Sequence, residues 1–132
     1  MMTFLDTSAI CAYFDRASEH QAAVLAAWDI VESNEDTLVA TNYVLVETTA
    51  LLQARLGIDA VRGFATGIVP ILSIEWVEPE VHDAALTAVL AANRRDLSFV
   101  YCVSFEVMRR LGMRRVLALD EHFREQGFEV VP

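Results

Sequence analysis

Apolar residues along this chain fall into two patterns that take turns. Short unbroken apolar runs alternate with longer stretches in which apolar side chains recur every three or four positions, the spacing of one helix face. The first run, Thr3-Phe4-Leu5, predicts a buried strand that stops at Asp6. Thr7 and Ser8 are cap-type residues ahead of a short helix over 9–14. A helix over 18–31 follows, with Ala22, Leu25, Ala26 and Ile30 at helical spacing. Leu38-Val39-Ala40 predicts a second strand, Thr41-Asn42 a cap, and 43–56 a strong helix ended by Gly57. Residues 58–68 predict a weaker helix, because Gly63 and Gly67 lower its propensity. Pro70 opens a third strand over 71–77, and Pro79 suits the first turn of a helix running to 93. Ser98 caps another helix, closed by Gly112. A fourth strand over 116–119 ends at Asp120, a short helix over 122–126 stops at Gly127, and a last strand covers 128–131.

Strands that alternate with helices imply a parallel sheet covered on both faces. The expected fold class is therefore α/β, a three-layer sandwich with a mostly parallel central sheet of about five strands flanked by helices. Glycine and proline sit at the joints and no linker interrupts the pattern, so residues 1–132 are expected to form a single domain. No apolar run approaches the roughly 18–20 residues of a membrane helix. Asp6 interrupts the N-terminal segment too early for a secretion signal. Two cysteines, Cys11 and Cys102, are too few for a disulfide framework, which makes a cytoplasmic location the expectation.

Charge changes the picture. Nineteen acidic residues against ten basic ones leave a net charge of −9, and all ten bases are arginine. A net-negative domain repels nucleic acid at long range unless divalent cations or a local basic patch intervene. The absence of lysine excludes Schiff-base chemistry and the phosphate-binding P-loop. It also excludes receiver domains, which place acids at strand ends but depend on a lysine. No G-x-G-x-x-G follows the first strand, where the chain reads Asp6-Thr7-Ser8-Ala9. Haloacid-dehalogenase-type phosphatases need a second aspartate where Ser8 stands.

Three acids are candidates for chemistry. In open parallel sheets, sites gather at the carboxyl ends of strands, and two central strands end in Asp6 and Asp120. Aspartate is also simply a good turn or cap residue. Taken together the two are more informative, because adjacent strands would bring both carboxylates into one crevice. Glu47 lies inside the strongest helix and shares a face with Val44 and Leu51. It either pairs with something there or sits at the edge of the stripe in water. Clustered carboxylates repel one another, so such a group takes up protons or binds a cation. Oxygen ligands favour Mg²⁺ or Mn²⁺ over zinc. His20, His82 and His122 have no paired ligand spacing and read as surface or helix-end residues.

The order of these segments resembles a known family. Leu5-Asp6-Thr7-Ser8-Ala9, Asn42-Tyr43-Val44-Leu45-Val46-Glu47, Leu97-Ser98-Phe99 with Cys102-Val103-Ser104-Phe105, and Leu119-Asp120-Glu121-His122-Phe123 before Gly127-Phe128 together look like a PIN domain. The likeness is strongest to the VapC-type toxins of bacterial toxin–antitoxin pairs and extends over essentially the whole chain. It implies a mostly parallel sheet sandwiched by helices and a Mg²⁺- or Mn²⁺-dependent endoribonuclease. Asp6, Glu47 and Asp120 would be the metal ligands, and the Ser8 hydroxyl would support the attacking water or a phosphate oxygen. The resemblance also implies a homodimer and a VapB-like antitoxin lying over the crevice.

One position departs from the family pattern. An aspartate is usual immediately before the cysteine, and here Tyr101 stands there. A phenol is neutral at pH 7 and a poor Mg²⁺ ligand. Three outcomes are open: the remaining acids still hold one metal, Asp96 or Glu106 substitutes, or the chain is a weakened nuclease that binds RNA or antitoxin. Six of the ten arginines lie between Arg94 and Arg115 and flank this helix. They read either as a basic rim for phosphates, with Arg94-Arg95 the best candidates, or as surface partners of the surplus acids.

Overall fold

The computed structural model describes residues Met1–Pro132. Five parallel strands form one sheet: β1 (Met2–Leu5), β2 (Thr37–Thr41), β3 (Ser73–Glu75), β4 (Arg115–Leu117) and β5 (Glu129–Val131), in the order β3-β2-β1-β4-β5. All four pairings are parallel, with Phe4 opposite Val39 on one side and Val116 on the other. The central strand β1 is apolar because both of its faces are covered; Thr3, Phe4 and Leu5 are fully buried.

Seven helices connect the strands: α1 (Thr7–Phe14), α2 (Gln21–Ser33), α3 (Asn42–Arg55), α4 (Ile58–Gly63), α5 (Pro79–Ala92), α6 (Phe99–Arg110) and α7 (Glu121–Glu125). The chain steps outward from β1 to β3, then returns across the sheet to β4 and β5. Right-handed crossovers therefore put α1–α4 over one face and α5–α7 over the other. The direction reverses between β1 and β4, so their carboxyl ends flank a natural crevice.

The expected α/β class and parallel sheet hold, with local corrections. The helix expected over 58–68 is α-helical only to Gly63; Phe64–Ile68 forms a π-helical turn and Val69–Ile71 a 3-10 turn. Close packing explains why glycine stands at the junction: a Cβ at Gly63 would lie 3.2 Å from the Phe14 ring. Phe64 and Ile68 are buried by this irregular turn. Pro70 belongs to the 3-10 turn and does not open a strand. The third strand shrinks to Ser73–Glu75 because it lies at the sheet edge, where only β2 pairs with it. The fourth strand starts one residue earlier than expected and ends at Leu117. No helix is long and apolar enough to cross a membrane.

Candidate functional site

Asp6 leaves β1 as the N-cap of α1, and Asp120 follows β4 as the N-cap of α7. The cap reading holds for both aspartates; the strand-end reading holds for Asp6, while Asp120 lies three residues past the end of β4. β1 and β4 are hydrogen-bonded neighbours, and the Asp6 N–H donates to the Leu117 carbonyl at 3.1 Å. Sequence-distant carboxylates are brought together by the sheet.

Ser8 ties this junction. Its hydroxyl donates to Asp6 Oδ2 at 2.6 Å and accepts the Leu119 N–H at 3.0 Å; its own N–H donates to the same Oδ2 at 3.0 Å. The one proton of the hydroxyl is therefore directed at Asp6. Ser8 acts as a strut that aims a carboxylate, and only its remaining lone pair is left for a ligand.

Glu47 comes from the middle of α3. Thr41 caps that helix by accepting the Val44 N–H at 3.1 Å, and the Thr48 hydroxyl donates to Thr7 at 3.0 Å in a buried contact with α1. These bonds set Glu47 opposite Asp6. Tyr101 is positioned from the third direction: Ser98 caps α6 and accepts the Tyr101 N–H at 3.1 Å. The Tyr101 hydroxyl donates to Asp120 Oδ2 at 2.5 Å, while Asp120 Oδ1 accepts the His122 N–H at 2.9 Å.

A cavity of about 430 Å³ opens here, walled by Asp6, Ser8, Glu47, Arg55, Ser98 and Tyr101 among others. Asp120 is not on its wall; it stands behind the Tyr101 hydroxyl, 29% exposed. Asp6 is only 1% exposed, and its Oδ1 has no hydrogen-bond partner. Burial pushes its carboxyl up to about 6 against the lowering effect of the Ser8 hydrogen bonds; the charges of Glu47 and Asp120 push the same way. Burial and the hydrogen bond to Asp120 raise the Tyr101 phenol well above its ordinary value, so it stays a neutral donor.

Asp36 makes the contrast. Its side chain is 3% exposed at the opposite end of the sheet, yet it accepts from Thr3 at 2.9 Å and meets Arg115 at 3.5 Å and the N-terminal amine at 3.8 Å. A buried carboxylate with partners is structural; Asp6 has one oxygen without any. That unsatisfied oxygen, beside two further acids, suits a hard divalent cation. No three acidic, histidine or cysteine side chains converge into a ready-made cage.

Neither Asp96 nor Glu106 lines the cavity. Asp96 is held by Arg94 at 2.8 Å, and Glu106 by Arg110 at 2.8 Å. Most of the arginine cluster is likewise engaged. Arg94 also pairs with Glu125 at 3.1 Å, Arg115 with Asp36 and Glu129, and Arg109 packs over Phe105 and Phe128. The surface-partner reading applies to Arg94, Arg110 and Arg115, while Arg109 is held by aromatic rings without an acid, and Arg94 is no free rim. The cation actually on the cavity wall is Arg55, which reading the sequence for clusters passed over. Its signal is its place on α3, eight residues beyond Glu47.

Comparison with known proteins comes to one family. The profile of the PIN domain matches residues 3–129. The chain is 31% identical to the 23S rRNA-specific endonuclease VapC20 of Mycobacterium tuberculosis, over 99% of each chain. It is 43% identical to ribonuclease VapC26 of the same organism, over 42% of this chain and 39% of that one. The crystal structure of M. tuberculosis VapC20, described as a Sarcin-Ricin loop cleaving toxin, superposes with a TM-score of 0.87 at 30% identity, covering 98% of this chain and 99% of that one. The structure of FitAcB from Neisseria gonorrhoeae shares the fold, with a TM-score of 0.70 at 14% identity over 99% and 97% of the two chains.

Proposed function

The chain belongs to the PIN domain family, kin to VapC toxins over its whole length, and from that premise we propose that it is a Mg²⁺- or Mn²⁺-dependent endoribonuclease. The observation that carries the reading is the buried, half-unsatisfied Asp6 in a cavity shared with Glu47. Asp6 and Glu47 are the principal ligands of this proposal, and Asp120 is the third. The chemistry such an ion supplies is positive charge against the phosphate and a more acidic water.

The protein's own groups do the rest. Ser8 fixes the Asp6 carboxylate so that Oδ1 points away from both Ser8 donors. Glu47, free of ion pairs, lines the same cavity and keeps its carboxylate oxygens for such an ion. Tyr101, neutral, donates to Asp120 and removes one lone pair from the ligand set. The expected consequence is a weakened metal site compared with one carrying an acid at this position.

The test is cleavage of an RNA panel, including the sarcin–ricin stem-loop of 23S rRNA, with and without Mn²⁺, against Asp6→Asn. Cutting that needs both the ion and Asp6 supports the proposal; metal-independent cutting, or none from any RNA, sinks it. One observation favours a second reading, a PIN protein that binds RNA or antitoxin without cutting: both oxygens of Asp120 already accept hydrogen bonds. Mn²⁺ titration separates the two.

A VapB-like antitoxin and a second copy of the chain are the proposed partners, in the cytoplasm. Val46 on α3, Trp76, and Leu90 on α5 are about 70% exposed and offer apolar surface for such contacts. Size-exclusion chromatography with light scattering tests the homodimer.

A further inference from the structure

Every positive side chain of this protein is an arginine, and in a chain of net charge −9 half of them have an acid to hold. Five are ion-paired, and Arg109 is engaged by Gln126 and two phenylalanine rings. Arg16, Arg55, Arg95 and Arg114 pair with no acid. Of these four, only Arg55 lines the cavity that holds Asp6 and Glu47. An exposed guanidinium on a wall shared with Asp6, Asp15 and Glu47, yet within ion-pairing distance of none, keeps its donors for something that enters.

The geometry gives the cavity two ends. Glu47 and Arg55 ride the same helix, eight residues apart, which is about 12 Å along its axis. Leu51 and Leu52 form the wall between them. One phosphate cannot reach both ends, but a phosphodiester chain can. Ser18 lines the cavity too, and its Oγ accepts the His20 N–H at 3.1 Å while keeping its own proton for a ligand.

We infer that Arg55 is a substrate-positioning residue: its guanidinium grips a backbone phosphate of RNA flanking the one brought to Asp6 and Glu47. The inference rests on the ribonuclease reading above. A planar fork matches two phosphate oxygens, so the contact is directional as well as electrostatic. It also lets a net-negative protein take a polyanion without a basic surface, by placing one free cation inside the crevice.

The test measures binding apart from cleavage. Anisotropy of a fluorescein-labelled sarcin–ricin stem-loop is followed in EDTA across a NaCl series, for wild type, Arg55→Ala, Arg55→Lys and the control Arg16→Ala. Cleavage kinetics in Mn²⁺ accompany it. Arg55→Ala should weaken binding about tenfold and raise KM similarly, with kcat changed little. Its salt slope should fall by about 0.7, the loss of one phosphate contact to a single strand. Arg55→Lys should keep the slope and lose part of the affinity, because the charge stays and the fork goes. Arg16→Ala should match wild type. Unchanged affinity and slope in Arg55→Ala, in a protein that does bind and cut RNA, overturns this inference and leaves the ribonuclease reading standing. A fall in kcat with KM unchanged overturns it as well. A wild type that neither binds nor cuts RNA removes the ribonuclease reading and the inference together.

Discussion

The Tyr101 hydroxyl donates to Asp120 Oδ2 at 2.5 Å, so a neutral side chain holds the carboxylate that a cation would otherwise draw in. The Tyr101 ring is fixed by stacking on Phe105, with centroids 6.4 Å apart, and by an edge contact with Phe123 at 5.8 Å. Tyr101→Phe keeps that packing and removes only the donor. It should cost about 1 kcal/mol of stability by urea denaturation and tighten Mn²⁺ binding by calorimetry, because Oδ2 is released. Tyr101→Asp should go further. Without metal it adds a like charge and loses ring burial, at a cost of about 2–3 kcal/mol. With Mn²⁺ it should cut RNA faster than wild type. No gain in cutting would show that the aromatic position is not the missing ligand.

Asp6 predicts an unusual pH dependence. Its carboxyl titrates near pH 6 in the folded protein, above the ordinary 3.8. The native state therefore holds its proton more tightly than the unfolded chain, and this group's stabilisation is complete below about pH 3.8 and lost as pH rises through about 6. The difference is at most about 3 kcal/mol. Asp96 and Glu125 act oppositely, because Arg94 lowers both; what they contribute disappears only as pH falls below the usual carboxylate range. Urea midpoints between pH 4.5 and 7.5 in EDTA should fall for wild type and stay flat for Asp6→Asn. Mn²⁺ at pH 7.5 should restore the wild type and leave the variant unmoved.

Ser8→Ala removes the donor to Asp6 and the acceptor of the Leu119 N–H in one change. The expected cost is about 1–3 kcal/mol. The Asp6 carboxyl should titrate higher still, since the Ser8 hydrogen bond now pulls it down. The measurement is the pH at which the stability curve turns, read beside the wild type.

Arg94 should be quiet. Its guanidinium is already shared between Asp96 and Glu125. Arg94→Ala should change RNA affinity and salt slope little, with a stability effect under about 1 kcal/mol. A slope loss equal to that of Arg55→Ala would restore the basic-rim reading.

Much of the fold was readable because the signals are local. An apolar run bounded by Asp6, a Thr41 cap and a Gly112 stop each act within a few residues; helical spacing located α2 but not its buried face, because Ala22, Leu25, Ala26 and Ile30 are exposed while Val24, Ala27, Trp28 and Val31 face the core. The π-helical turn at Phe64–Ile68 was not readable, since Phe64 and Ile68 are buried and Gly63 packs on Phe14 through contacts between segments distant in sequence. The site divides the same way. Strand-end position and an acid on an apolar helix face point to Asp6, Asp120 and Glu47 before any fold is known. That the Ser8 proton belongs to Asp6, and that Tyr101 screens Asp120 from the cavity, depends on the pairing of β1 with β4. Arg55 was hidden because its meaning is negative: it stands out only once the other arginines have been assigned their acids.

The junction of β1 with β4 has a consequence for synthesis. Ser8 Oγ and the Leu119 N–H bridge a separation of 111 residues, so the ribosome reaches Leu119 long after it has made Ser8. Until that late segment emerges, Asp6 has no neighbour on this side of the sheet. A nascent chain that has not yet released Leu119 cannot assemble the crevice, so whatever chemistry the crevice performs waits until that segment has left the exit tunnel.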